Sequence, residues 1–323
     1  MKLATLRTGG DGTLLVVSRD LTRAVRATAA ASLQAALENW VAVEPALRAQ
    51  FDALQQGNIE SQMAIDPATL DAILPRSFQF LDASAFLAHN HILARAWGFV
   101  PRGESEPPLM YQGLSNLFYP PHGTVGFRNF DKDEVDFEAE LGIITDAVPL
   151  GVMPGNALGH ARLIIMLNDW SLRAFGPKEM QGGFGFLHAK PPTTLSAFAM
   201  TPDELGDAWS NGRVHLPLVI ERNGERFGAP NGAAMHFGFG DLIAHAAKTR
   251  DLCAGTVIGS GTVSNYDAAS VGSGCIAERR ALDSLAEREI TSYLVECERV
   301  GIELRDAEGR AILGKIDQRT SLC

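Results

Sequence analysis

Long apolar runs are missing from this chain. No stretch reaches the roughly 18 consecutive apolar residues that a membrane-spanning helix needs. Residues Met1 to Asp11 hold no apolar core of signal-peptide length. These absences predict a cytoplasmic protein with no membrane partner. Positive charge is also scarce: 28 Lys and Arg stand against 38 Asp and Glu, a net charge of -10. A surface of that sign repels phosphate backbones, and no basic stripe with interleaved aromatics offsets it, so no nucleic-acid partner is expected. An anionic small molecule stays open, because a local cluster of Arg and Lys can reverse the field inside a cleft.

Only four cysteines occur, Cys253, Cys275, Cys297 and Cys323, and no two form C-x-x-C. Zinc ribbons and thioredoxin-type redox motifs are thereby excluded, and scattered thiols fit a reducing compartment. The common catalytic signatures are lacking too. There is no G-x-S-x-G elbow, which argues against a serine α/β-hydrolase. The run Gly255 to Thr262 has no P-loop lysine. The cluster Gly182-Gly183-Phe184-Gly185 does not follow a strand in a βαβ pattern, so a dinucleotide fingerprint is unsupported.

What is present describes a folded chain. Hydrophobic residues make up 46% and charged residues 20% of 323 positions, ordinary values for a protein that buries a core. The length fits about two domains. Residues 1–75 read as a small N-terminal domain. Leu3–Leu6 and Thr13–Ser18 read as strands around Gly9-Gly10-Asp11-Gly12. Leu33, Leu37, Trp40 and Val41 share one helix face, and Pro45 is placed to begin a second helix carrying Leu47, Phe51 and Leu54. Gln56 to Ile65 reads as a linker. From residue 76 to 323 short apolar runs (Leu141–Ile144, Leu163–Leu167, Leu216–Ile220, Ile290–Val295) alternate with turns such as Arg222-Asn223-Gly224 and Asp306-Ala307-Glu308-Gly309. Asp241 to Lys248 reads as a helix. The expected fold class is α+β, with a β-rich larger domain.

Three constellations are candidates for chemistry. In Val135-Asp136-Phe137-Glu138-Ala139-Glu140-Leu141, strand alternation puts Glu138 and Glu140 on one face, about 7 Å apart. Carboxylates that close repel unless a cation separates them, and a hard cation with oxygen ligands is one solution; a solvated acidic face is the other. Asp169 ends the apolar run Leu163–Leu167, with Arg173 four residues on; it is a candidate ligand or the cap of a helix starting at Trp170. Asp82 precedes His89 and His91. An H-x-H pair suits zinc only with a third His or Cys at a telling spacing, and none is present. A single His paired with a carboxylate such as Glu278 is the alternative, a general base.

The order of these residues along the chain resembles the fumarylacetoacetate hydrolase family. The resemblance runs from Asp82 and His89 through Leu109-Met110-Tyr111-Gln112-Gly113, Asp136-Phe137-Glu138-Ala139-Glu140 and Asn168-Asp169-Trp170-Ser171-Leu172-Arg173. It continues through Ala189-Lys190-Pro191-Pro192-Thr193-Thr194 and Gly259-Ser260-Gly261-Thr262 to Gly274-Cys275-Ile276-Ala277-Glu278. It covers roughly residues 76 to 300. It implies mixed rolled sheets and a homodimer that hydrolyses a carbon–carbon bond in a diketo acid, either fumarylacetoacetate in tyrosine degradation or an acylpyruvate. It implies Asp82, Glu138, Glu140 and Asp169 as ligands of Mg²⁺ or Ca²⁺, with Mn²⁺ a further candidate, and Lys190 and Thr194 beside them. It also implies His89 as general base oriented by Glu278, Arg173 and Lys190 as stabilising charges, and Tyr111, Ser84, Thr262 and Arg173 as substrate contacts. Ser84 stands where the family has Tyr, Gly176 where it has Gln and Met180 where it has Tyr, so the pocket departs where the metal and base positions do not. Relatives on this scaffold that decarboxylate or tautomerise oxo-acids, and a non-catalytic binding protein, are the alternatives.

Overall fold

The apolar run at the centre of the chain, Ala161–Asn168, is a strand whose side chains alternate between two cores. Leu163, Ile165 and Leu167 pack with Leu33, Leu37, Trp40 and Phe51, whereas Ile164 and Met166 pack with Leu218, Ile302 and Ile316. A strand apolar on both faces needs a cover on both, and a three-layer arrangement provides it. Each fully buried Leu or Ile contributes about 1.5–3 kcal/mol relative to exposure.

The computed structural model describes residues 1–323. Its middle layer is an eleven-stranded sheet. From one edge the strands run Met63–Ala64, Arg23–Arg26, Thr13–Val17, Lys2–Leu6, Phe198–Met200, Ala161–Asn168, Ala139–Thr145, Val257–Gly259, Phe80–Ala83 and Met110–Gly113, with Thr194–Leu195 also paired to Ala161–Asn168. These neighbours are antiparallel except Val257–Gly259 beside Phe80–Ala83, which is parallel. A five-stranded sheet of Glu225–Gly228, Leu218–Arg222, Arg299–Arg305, Ala311–Leu322 and His122–Phe127 covers one face, and the helices Leu33–Glu38 and Trp40–Gln55 lie on the other. Both expected N-terminal strands are present, and Lys2–Leu6 joins the large sheet by pairing with Phe198–Met200. No helix is long and apolar enough to cross a membrane.

Local chemistry explains the turns. Asn223 and Gly224 both take positive φ (56° and 83°), the geometry of a two-residue hairpin between strands Leu218–Arg222 and Glu225–Gly228. Three expectations need correction. Pro45 does not open a helix: the second helix starts at Trp40 and carries Pro45 inside it, where the missing N–H leaves only the carbonyl of exposed Val41 to water. The 56–65 segment is not all linker, since Met63–Ala64 pairs with Arg23–Arg26. Ile290–Val295 is irregular rather than a strand; its Thr291 is engaged by the Asp283 carboxylate instead of by a sheet neighbour. Near the site, helix Leu87–Trp97 packs on helix Ile276–Leu285 through Ile92 and Ala281.

Candidate active site

Adjacent strands bring distant acids together. Asp82 projects from Phe80–Ala83 and Glu140 from Ala139–Thr145, with Val257–Gly259 between them. Asp169 follows the next strand, held by its N–H donating to the Glu138 carbonyl at 3.0 Å. One carboxylate oxygen from each of Asp82, Glu140 and Asp169 lies within 4.8 Å of the others, and all three side chains are buried. Asp169 lies between the strands Ala161–Asn168 and Ser171–Leu172 and begins no helix, so the helix-cap alternative falls.

The cluster is electrostatically incomplete. Both Glu140 oxygens are buried with no donor. Burial, then the charge of Asp82 and Asp169, raises the Glu140 carboxyl well above its ordinary range. Burial, then Asp169, pushes Asp82 up to about 8. Gly259 makes the room: a Cβ there would sit 2.2 Å from Asp82 Oδ1 and 2.9 Å from Glu140 Oε2. Buried hard oxygens with no partner, around a space that only glycine leaves open, fit a divalent cation of the Mg²⁺, Ca²⁺ or Mn²⁺ type. Gly259→Ala is therefore expected to weaken Mn²⁺ binding about 10–100-fold while the protein stays folded, the scale found when a ligand's support is disturbed. Calorimetric titration checks this, and unchanged affinity would show that the space is not needed.

Glu138 departs from the expected ligand set. Its oxygens are taken by Arg173 Nη2 at 2.6 Å and Lys190 Nζ at 2.7 Å. Burial works against its charge, but Lys190, Arg173 and His89 outweigh burial and hold its carboxyl well below the usual range. Lys190 also donates to Asp169 Oδ2 at 2.6 Å and Ser171 Oγ at 2.8 Å, so it stands between Glu138 and the three-acid cluster. Thr194 is a second correction. Its hydroxyl donates to Gln318 Oε1 at 2.7 Å and accepts from Trp170 Nε1 at 3.1 Å, away from the acids. Thr193 Oγ1 makes the contact instead, donating to Asp169 Oδ1 at 2.5 Å, because successive side chains on an extended backbone point to opposite sides.

Tyr111 reaches the cluster, its hydroxyl donating to Asp169 Oδ2 at 2.6 Å. His89 lies on the helix Leu87–Trp97, where positions two apart do not share a face, and this removes the H-x-H zinc reading. Its Nδ1 is 2.8 Å from Glu278 Oε2, with Glu278 fully buried and its second oxygen without a donor. His91 binds the Arg102 carbonyl and Tyr266 instead. Ser84 directly follows the strand that carries Asp82, and Thr262 is buried three residues past Gly259. Gly176 and Met180 lie on the exposed helix Gly176–Gly182. That segment is tied back by the Glu179 carboxylate, which accepts the N–H groups of Leu187, His188 and Ala189. The side chain it delivers to the site is Phe186, edge-on to Tyr111 with centroids 5.0 Å apart. Sequence reasoning missed Phe186, Thr193 and the space at Gly259. Nothing in the sequence marks Phe186, whereas Thr193 and Gly259 sit inside motifs already noticed.

A buried oxygen cluster suited to a divalent cation, beside an imidazole–carboxylate pair on a sheet-rich scaffold, defines a class of metal-centred proteins. The sequence places the chain within that class. The model of the fumarylacetoacetate (FAA) hydrolase C-terminal domain matches residues 80–309, and that of fumarylacetoacetase N-terminal domain 2 matches residues 1–76. The chain belongs to the fumarylacetoacetate hydrolase family. A Burkholderia multivorans protein carrying only the general name hydrolase is 27% identical over 227 residues, covering 65% of this chain and 74% of that one. The fold is shared with maleylpyruvate hydrolase from Sphingobium sp. SYK-6, solved with manganese(II) and pyruvate (TM-score 0.67, 17% identity, 100% of this chain and 99% of that one). It is shared equally with fumarylacetoacetate hydrolase from Exiguobacterium antarcticum (TM-score 0.66, 14% identity, 100% of both chains).

Proposed function

We propose that this protein is a divalent-cation-dependent hydrolase that cleaves the carbon–carbon bond of an acylpyruvate or a related diketo acid. The observation that carries the reading is the unpartnered, buried Glu140 between Asp82 and Asp169, together with the His89–Glu278 pair, whose imidazole lies near enough to Glu138 to help hold its carboxyl low. Asp82, Glu140 and Asp169 would hold the cation, and Glu138, whose two oxygens each accept one hydrogen bond, would join them through a remaining lone pair. When bound, the cation supplies the positive charge that polarises a substrate carbonyl and accommodates negative charge on the departing enolate.

The chain's own residues account for the remaining roles. Glu278 accepts from His89 Nδ1, which leaves Nε2 as the basic nitrogen. Nε2 takes a proton from water as the water oxygen bonds to the acyl carbonyl carbon. The bond from that carbon to the methylene then breaks, its electron pair stays with the pyruvate fragment as an enolate, and His89 returns the proton to the methylene carbon. Atoms balance to one carboxylic acid and one 2-oxo acid. Arg173 is half-buried, and its Nη1 is left over from its bonds to Asp136 and Glu138, so it is available to a substrate carboxylate. Tyr111 and Phe186 wall the same space.

The purified protein with Mn²⁺ or Mg²⁺ should release pyruvate from acetylpyruvate or fumarylpyruvate, followed by coupled lactate dehydrogenase, with fumarylacetoacetate assayed alongside. Carbon dioxide from oxaloacetate without cleavage of any diketo acid would replace the hydrolase reading with a decarboxylase one.

A further inference from the structure

Asp136 lies outside the acid cluster, and no step above uses it. Its side chain is completely buried. Oδ1 accepts the Ile276 N–H at 2.8 Å, and Oδ2 accepts the Ala277 N–H at 2.9 Å and Arg173 Nε at 2.9 Å, with Arg173 Nη2 at 2.8 Å. Ile276 and Ala277 open the helix Ile276–Leu285, and their N–H groups have no partner within the helix. The helix has its own N-cap, Cys275, whose sulfur takes the Glu278 N–H at 3.4 Å. Asp136 therefore holds the helix end from 140 residues away in sequence.

What the two halves of this contact carry gives it meaning. Glu278 sits in the first turn of that helix and meets His89. Arg173, on the other side, meets Glu138. One carboxylate thus joins the residue that orients the imidazole to the guanidinium that faces substrate. The bonds it accepts from Arg173 are charge-assisted, about twice as strong as neutral ones. A negative charge at a helix N-terminus is further stabilised by the helix dipole. A role in helix stability alone would need only the two amides, and leaves the bond to Arg173 without a purpose.

We propose that Asp136 is a positioning residue that sets Glu278, and through it His89, in register with Arg173. The proposal rests on the hydrolase reading for its kinetic consequence but not for its structural one.

The test is Asp136→Asn in the full-length, Mn²⁺-loaded protein. The amide keeps the shape, but its NH₂ faces donors, so it cannot serve both the helix and Arg173. Turnover of an acylpyruvate should fall about 10–100-fold, the scale of a lost supporting partner. In a Glu278→Gln background the same substitution should cost less than about threefold, because both changes act through one unit. The His89 Nδ1 proton and nitrogen resonances, read with diamagnetic Mg²⁺ in place of Mn²⁺, should shift. Should Asp136→Asn not accumulate folded, Ile276→Pro removes the N–H that Oδ1 accepts, together with part of a buried side chain, and leaves Asp136 and Arg173 in place. Proline is tolerated in a first turn after extended Cys275, and the same resonance shift is expected. Equal losses in both backgrounds, or unchanged His89 resonances, would overturn the proposal. A parent protein that cleaves no diketo acid would sink the hydrolase reading instead, and the resonances would still decide the role of Asp136.

Discussion

Glu140→Gln should lower diketo-acid cleavage by about 10³-fold, the several kcal/mol that a bound cation contributes to charge stabilisation. It should also make the metal-free protein more heat-resistant. Both effects come from one carboxylate. Glu140 is the acid of the cluster with no donor on either oxygen, so it gains most from a cation and suffers most without one. Burial and neighbouring charge raise Glu140 well above its usual range and push Asp82 up to about 8. A carboxyl raised on folding binds its proton more tightly in the folded state. Its contribution to stability is therefore present below the unfolded value, near 4 for these groups, and is lost as pH rises through the folded value. Glu138, held low by its two cations, titrates below that window and does not oppose the trend. In EDTA, the parent's melting temperature should fall steadily between pH 5 and pH 9. Glutamine removes one negative charge and relieves Asp82, so the variant's decline should be shallower. Added Mn²⁺ should restore the parent at high pH, since binding to the folded state alone stabilises it, and should barely move the variant. Superimposable melting curves in EDTA, or parent-like Mn²⁺ affinity in the variant, would remove Glu140 from the cation site.

The sequence carried the identity of the acids better than their arrangement. Asp82, Glu140 and Asp169 stand in order among recognisable motifs, yet their convergence depends on parallel pairing of Val257–Gly259 with Phe80–Ala83, a partnership between segments about 177 residues apart that no local pattern encodes. Alternation grouped Glu138 with Glu140. Glu138, however, precedes the regular strand that begins at Ala139, and what decides its state is two cations delivered from residues 173 and 190. Thr194 was favoured over Thr193 by motif position, while the backbone's two-residue period favoured the neighbour. The central strand was legible because Leu163–Leu167 is apolar throughout. That its alternate faces serve different cores was not, because the covers are the N-terminal helices and a second sheet that share no sequence proximity with it. The space at Gly259 was invisible for a simpler reason: a missing side chain matters only once its neighbours are placed.

His89→Ala should reduce turnover by about 10²–10⁴-fold, the usual contribution of a positioned proton-transfer group, with KM for the diketo acid little changed. The imidazole is aimed by a buried carboxylate, and Glu278 has no other side-chain partner. Burying a carboxylate costs several kcal/mol unless it is paired, so a helix that retains one at that depth is holding it for the ring. Alanine also strands Glu278, at a cost of about 1–3 kcal/mol in stability. His89→Gln is the control: its amide can still donate to Glu278 but cannot accept a proton. Both variants should lose cleavage to a similar extent, whereas only alanine should melt appreciably earlier. Mn²⁺ affinity should stay near the parent's in both, because His89 is not among the three clustered acids. Decarboxylation of oxaloacetate, if the parent performs it, should survive, because that reaction needs enolate stabilisation but no activated water. Full cleavage activity in the glutamine variant would take the imidazole out of the reaction and leave water activation to the cation alone. Loss of cleavage with carbon dioxide release retained would assign His89 to proton transfer in the hydrolytic step and not to enolate stabilisation.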